Sequence, residues 1–163
     1  MSERSVLEAK RARDEIIEEL SSFPDEFERV ILRGKDADDL RKPASDGGWG
    51  VVEILPHLRD WEAIYLERAR RIAHEDHPRL SSYDDTLWSI ERDYRGQDPH
   101  HVFAELRRLR AELVEFLSVL PPEAWTRTGQ HSYYGDITLA WLCDHICEHD
   151  HEHLEQARDA LAG

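Results

Sequence analysis

The chain has 163 residues, a length that fits one domain, residues 1–163, able to bury a core without disulfide or metal staples. Its formal net charge of -14 argues against duplex DNA and anionic membrane surfaces as partners, because both are bound mainly through clustered Lys and Arg. No apolar run approaches the roughly 20 residues that span a bilayer, and the opening MSERSVLEAKRARDE holds no signal-peptide core, so a cytoplasmic location is expected.

Apolar residues recur three and four apart, β-branched runs are scarce, and Gly and Pro gather in a few clusters, which predicts an all-α chain with no strand. A first helix is expected from about Ser5 to Ser22, using Val6, Ile16, Ile17 and Leu20, with Pro24 opening a shorter segment through Phe27, Val30 and Ile31. A second covers about Val51 to Glu75. At 100° per residue it places Ile54, Leu58, Trp61, Tyr65, Ala69 and Ile72 on one face, with His57 at the edge of that stripe. Pro56 lies too deep for a first-turn proline and predicts a kink or loosened turn beside His57. Arg68, Arg70 and Arg71, interleaved with Glu62 and Glu67, read as a solvated helix face.

Between His77 and Pro99, the residues Asp84, Leu87, Trp88, Ile90 and Tyr94 suggest a short connecting helix within a long crossover. A third helix follows from about Pro99 to Leu120, with Val102, Phe103, Leu106, Leu109, Leu113, Phe116 and Leu117 facing inward. Pro121 and Pro122 stop it, and RTGQHSYYGD reads as a polar loop with Gly129 and Gly135 at sharp turns. Asp136 is the expected cap of a fourth helix, about Ile137 to Ala162. The outcome is a four-helix bundle of one domain. Cys143 and Cys147, four apart in a helical pattern, read as reduced core thiols, and the five tryptophans (49, 61, 88, 125 and 141) as packing residues.

The ten histidines are the compositional oddity, and WLCDHICEHDHEHLEQA separates four of them by face. Relative to His149, His153 lies about 40° away on the next turn and His151 about 200° away, among Glu148, Glu152, Glu155 and Asp159. His149 and His153 fall beside the inward stripe of Leu139, Leu142, Ile146, Ala157 and Ala160. A helical pair four apart can place two imidazoles on one cation, although half-buried histidines bonded to carbonyls or carboxylates share that spacing. A third histidine, His57, on another helix's stripe favours the metal reading, because three histidines plus solvent make an open site. His145 is the candidate fourth ligand if the site is closed and structural. Asp60 and Asp150 are candidate supporting carboxylates or surface charges, and His131, Tyr133 and Tyr134 could line the site mouth. His74, His77, His100 and His101, at helix ends and connectors, read as solvated.

The segments WGVVEILPHLRDWE, ERARRIAHEDHPRL, FAELRRLRAELVEFLSVLPPEAWTRTG, YGDITLAWL and HDHEHLEQ together resemble the DinB/YfiT-like superfamily of metal-dependent enzymes, over about Trp49 to Ala160. The resemblance implies an up-down-down-up four-helix bundle with a long crossover between its second and third helices. It also implies frequent homodimers and one divalent metal held by three histidines. Those three correspond here to His57 in PHLRD and to His149 and His153 in HDHEH. Histidine nitrogen suits zinc, nickel, iron and copper alike, and zinc or nickel is the metal expected here.

A three-histidine cation with open positions can lower the pKa of bound water toward about 7 or hold a thiol as thiolate. Bacillithiol transferases and mycothiol-dependent maleylpyruvate isomerase belong to the superfamily, so the resemblance implies a small-molecule substrate and transfer of a low-molecular-weight thiol. A hydrolase delivering hydroxide to an amide or ester is the alternative, and it would profit from a carboxylate base. A non-catalytic metal-binding stress-response protein is the third reading.

Overall fold

In the computed structural model, which describes residues 5–162, the predicted periodicities become four long helices. They are α1, Arg13–Phe27; α2, Val51–His74; α3, Pro99–Val119; and α4, Leu139–Ala162. Each buries one stripe of residues three and four apart, such as Ile16, Leu20, Phe23 and Phe27 on α1.

Side-chain pairs give the direction of each helix. Between α2 and α3 the partners rise together, Arg59 with Glu105, Glu62 with Arg110 and His74 with Phe116, so these helices are parallel. Arg11, just ahead of α1, with Asp144 and Ile16 with Cys147 likewise rise together, so α1 and α4 are parallel. His57 with His153 and Tyr65 with His149 run oppositely along α2 and α4, as do Leu20 with Arg110 and Asp25 with Arg107 along α1 and α3. The bundle is therefore up-down-down-up, and α1 and α2 each pack on both α3 and α4. Parallel neighbours cannot be joined by a tight turn, so residues 75–98 must return along α2, a rise of about 36 Å.

That crossover departs from the predicted connecting helix. It holds one α-turn, Trp88–Glu91, and a 3-10 turn, Tyr94–Gly96, with Trp88 and Tyr94 buried against Ile64 while Leu87 and Ile90 stay exposed. Its aromatic residues act as single plugs rather than as one helical face.

The polar loop after α3 is also more ordered than expected. Thr128–His131 and Gly135–Thr138 form a two-stranded antiparallel hairpin, β1 and β2, closed at Gly135 with φ +79°. The segment before Arg13 is extended rather than helical, because Leu7 spends its backbone on this hairpin: its amide donates to Asp136 O at 2.9 Å and its carbonyl accepts from the Thr138 amide at 3.0 Å. Asp136 is consequently a strand residue, and Thr138 caps α4 by accepting from the Trp141 amide at 3.0 Å. Gly129 is required by close approach, not by a turn: a Cβ there would lie 2.9 Å from Ile72 Cγ1. Pro24 lies inside α1 instead of opening a new segment, and a π-helical turn, Glu28–Leu32, follows. α2 likewise continues through Pro56, where the loosening is the one hydrogen bond that proline cannot give to the Val52 carbonyl.

Glu62, expected on a solvated face, is buried at the bundle centre, and so is Asp150. Both receive the guanidinium of Arg110, at 2.8 Å from Glu62 Oε1 and 2.8 Å from Asp150 Oδ2, while Arg110 Nη1 also donates to the Leu20 carbonyl at 3.0 Å. One side chain of α3 thus ties together all four helices. Cys143 and Cys147 are buried free thiols, raised to about 12 at Cys147 by burial. Trp88 and Trp125 are core residues, whereas Trp49, Trp61 and Trp141 are only half-buried.

Candidate metal centre

Antiparallel packing of α2 against α4 sets His57 opposite the turn that carries His149 and His153. Their Nε2 atoms converge: His57 to His153 is 3.1 Å and His153 to His149 is 3.2 Å. The three ring nitrogens all lie within 4.8 Å of one another. Nitrogen ligands about 2.0–2.1 Å from a tetrahedral cation stand about 3.3–3.4 Å apart, so this set fits one metal ion. The chemistry of the donors agrees. Three converging imidazole nitrogens cannot all find a proton donor among themselves, but a single cation accepts a lone pair from each.

Burial keeps these rings neutral, the state in which they can ligate. It depresses His57 to about 4 and His149 to about 2, with the neighbouring His153 adding to both, and it lowers His153 as well. His153 Nδ1 is 2.8 Å from Gln156 Oε1, so Nδ1 carries the proton and Nε2 presents its lone pair. On the other side, Asp85 Oδ2 lies 3.9 Å from His57 Nδ1 and accepts from Trp61 Nε1 at 2.9 Å. Trp49 and Tyr65 pack against His57 and His149, with ring centroids 5.3 and 5.5 Å away.

A cavity of about 810 Å³ opens beside the three histidines, walled by Trp61, Tyr65, Arg68, Tyr83, Asp85 and the hairpin tip. His131, Tyr133 and Tyr134 line it, as the sequence suggested. A second hollow of about 770 Å³ shares Ser82 and the 131–134 segment, and extends the space away from the histidines. His145 also lines the first cavity but lies outside the three-nitrogen group, stacked on Trp141 at 4.8 Å with Tyr134 at its edge. His151 is exposed with Glu148, Glu152 and Glu155, and His74, His77, His100 and His101 are exposed too.

A DinB superfamily model matches residues 8–157. The chain belongs to the DinB superfamily. Within it, the chain is 26% identical over 147 residues to "Putative metal-dependent hydrolase YfiT" of Bacillus subtilis (strain 168), covering 90% of this chain and 82% of that protein. A protein of Geobacillus thermodenitrificans (strain NG80-2) that bears the same functional description is 30% identical over 88 residues, 53% of this chain and 49% of that one. The solved structure of Bacillus subtilis YfiT, described as an unusual four-helix bundle, superposes with a TM-score of 0.84 at 24% identity, covering 98% of this chain and 91% of that one. The DinB match begins well before Trp49, where the sequence resemblance was placed, and takes in all of α1.

Two supporting residues of this DinB site differ from those expected. Asp60 accepts from the Tyr94 hydroxyl at 2.7 Å and from Arg92 at 3.0 Å, and Asp150 belongs to the Arg110 network, so both are structural. Gln156 bonds His153 in their place, and Asp85 stands 3.9 Å from His57 Nδ1, within charge-interaction range and beyond a hydrogen bond. Gln156 was readable, three residues after His153 on one helix face, whereas Asp85 lies in the irregular crossover and has no periodicity to betray it. Arg68, assigned to a solvated face, is buried, although it follows His57 by eleven residues, about 20° around the helix.

Proposed function

We propose that this chain is a metal-dependent enzyme in which His57, His149 and His153 hold one divalent transition metal, zinc or nickel, at the base of a small-molecule cavity. The convergence of the three Nε2 atoms at 3.1 and 3.2 Å carries the reading. A cation held there supplies Lewis acidity and stabilises an anionic nucleophile at neutral pH. The protein acts as one domain and, as the resemblance implies, as a homodimer.

The reaction we infer first is transfer of a low-molecular-weight thiol to a small electrophile. The thiol sulfur bonds to an electrophilic carbon, its proton passes to a base, and the leaving group departs with its electron pair. His145 suits the role of proton acceptor. It lines the cavity, burial lowers its pKa so that it is neutral, and its ring is held by stacking on Trp141 and edge contact with Tyr134. The aromatic wall of Trp61, Tyr65 and Tyr83 provides an apolar face for the electrophile. Asp85 is the carboxylate that lines the cavity, and its Oδ2 accepts from Trp61 Nε1 and faces His57 Nδ1; a hydrolase would need a carboxylate base such as this one, whereas thiol transfer does not.

Hydrolysis of an amide or ester is the second reading, favoured by the functional description of the two relatives. Metal-loaded protein incubated with a panel of cellular thiols and a chromogenic electrophile separates the two. Thiol transfer predicts metal-dependent consumption of thiol and electrophile together. Metal-dependent cleavage of esters or amides with no thiol reaction would replace it with hydrolysis.

A further inference from the structure

Arg68 is the charged residue in the cavity wall that the proposed reaction does not use. It is 5% exposed, yet its one hydrogen bond among the described residues is from Nη2 to the Ser81 carbonyl at 2.9 Å. Nε is fully enclosed with no partner, and no carboxylate among the described residues lies within ion-pair distance of the guanidinium. An ionised group taken out of water without a counter-ion is costly, by several kcal/mol in general. The bond to Ser81 does not explain that cost, because a neutral donor would tie the crossover to α2 as well.

The direction of the side chain supplies what the burial lacks. Helical side chains lean toward the N-terminus, and the Arg68 guanidinium lies 5.6 Å from the ring of Trp61, two turns earlier and one turn after His57. Tyr83 of the crossover flanks it at 5.7 Å. Trp61 and Tyr83 meet edge to face at 6.3 Å, and the guanidinium rests against both rings in the wall of the cavity that holds the histidines. A second donor accompanies it. His131 Nδ1 accepts from the amides of Tyr133 and Tyr134 at 3.0 and 3.2 Å, which places the ring proton on Nε2, and burial together with the nearby Arg68 keeps the ring neutral.

We propose that Arg68 recognises the substrate, and that the substrate is a small molecule bearing a carboxylate, bound by Arg68 while its reactive centre lies at His57, His149 and His153. The planar guanidinium matches a carboxylate, and desolvation against Trp61 and Tyr83 strengthens the pair. The cavity wall offers one fixed cation and one carboxylate, Asp85, a balance that suits a monoanion better than a phosphate dianion. The location of the reactive centre rests on the metal-site reading; the carboxylate site does not.

Isothermal titration calorimetry reads the test, because the five tryptophans of the chain share one fluorescence signal. Benzoate, benzamide and inorganic phosphate are titrated into metal-loaded protein and into protein stripped with chelator and then dialysed, for the wild type, Arg68→Lys and Arg68→Met. Each variant is first checked by circular dichroism. Benzoate is expected to bind wild-type protein in both forms, at least tenfold more tightly than benzamide or phosphate. Arg68→Met loses at least tenfold in benzoate affinity, Arg68→Lys loses less, and stripping the metal leaves wild-type affinity for benzoate in place. Equal binding of benzamide and benzoate by the wild type overturns the proposal whether or not the variants fold, and tighter binding of phosphate overturns the carboxylate assignment. Benzoate binding that needs metal and ignores Arg68 also overturns it. A failed metal site would instead appear as absent metal with Arg68-dependent benzoate binding intact.

Discussion

Arg110 shows how a single residue can be both costly and structurally central. Its guanidinium meets Glu62, Asp150 and the Leu20 carbonyl in a fully buried setting. Arg110→Met strands two buried carboxylates and is expected to lose about 3–5 kcal/mol in urea unfolding. Replacing Arg110, Glu62 and Asp150 together with apolar residues is expected to cost less than Arg110→Met alone, because no uncompensated charge remains. Gln156 acts at smaller range: Gln156→Leu frees the His153 ring and is expected to weaken metal affinity about 10- to 100-fold, measured by competition with a chromogenic chelator, with the fold unchanged. The three converging histidines were readable because helical spacing fixes direction. Arg110 and Glu62 were not, since a charged residue at a core position carries no mark until its partners on other helices are in place.

At the scale of elements, α2 and α3 begin and end within a residue of their expected bounds, because their apolar stripes are long and their flanking Gly and Pro residues stop them. The hairpin escaped notice for the opposite reason. Each strand is four residues long, too short for alternation to register among turn-forming residues, and its third partner, Leu7, is more than a hundred positions away. Leu7 also lies in a helix-like apolar pattern, which the hairpin overrides by capturing its amide and carbonyl. The hairpin matters to the site because its tip walls the cavity. Gly129→Ala, which drives a methyl against Ile72, is expected to destabilise by about 1–3 kcal/mol and to lower substrate binding before metal binding, as read by thermal melts beside chelator competition.

For the whole molecule, parallel α2 and α3 force the crossover that brings Asp85, Tyr83 and Ser82 to the cavity, so the topology itself builds one wall of the site. The buried histidines also set a pH response. In metal-free protein, the unfolded chain takes up protons below about pH 6.5, whereas folded His57 resists until about 4 and His149 until about 2. The unfolded state therefore binds more protons in that window. Stability is full above about pH 6.5 and falls as pH drops toward 5, by about 1.4 kcal/mol per unit for each such histidine. Urea unfolding of metal-free wild type and His149→Ala between about pH 7 and about pH 5 checks the sign, the variant showing the shallower fall.

The central claim is that residues nearly a hundred positions apart share one cation, and metal content tests it most directly. Protein purified without an affinity tag, reloaded and dialysed, is analysed for transition metal in the wild type and in His57→Ala, His149→Ala, His153→Ala, His145→Ala and His151→Ala. The account predicts about one metal per chain in the wild type, His145→Ala and His151→Ala, and affinity weakened by at least 10- to 100-fold in each of the other three. Loss of metal in His151→Ala with full content in His57→Ala would contradict it, assigning the ion to a surface chelate on α4 instead.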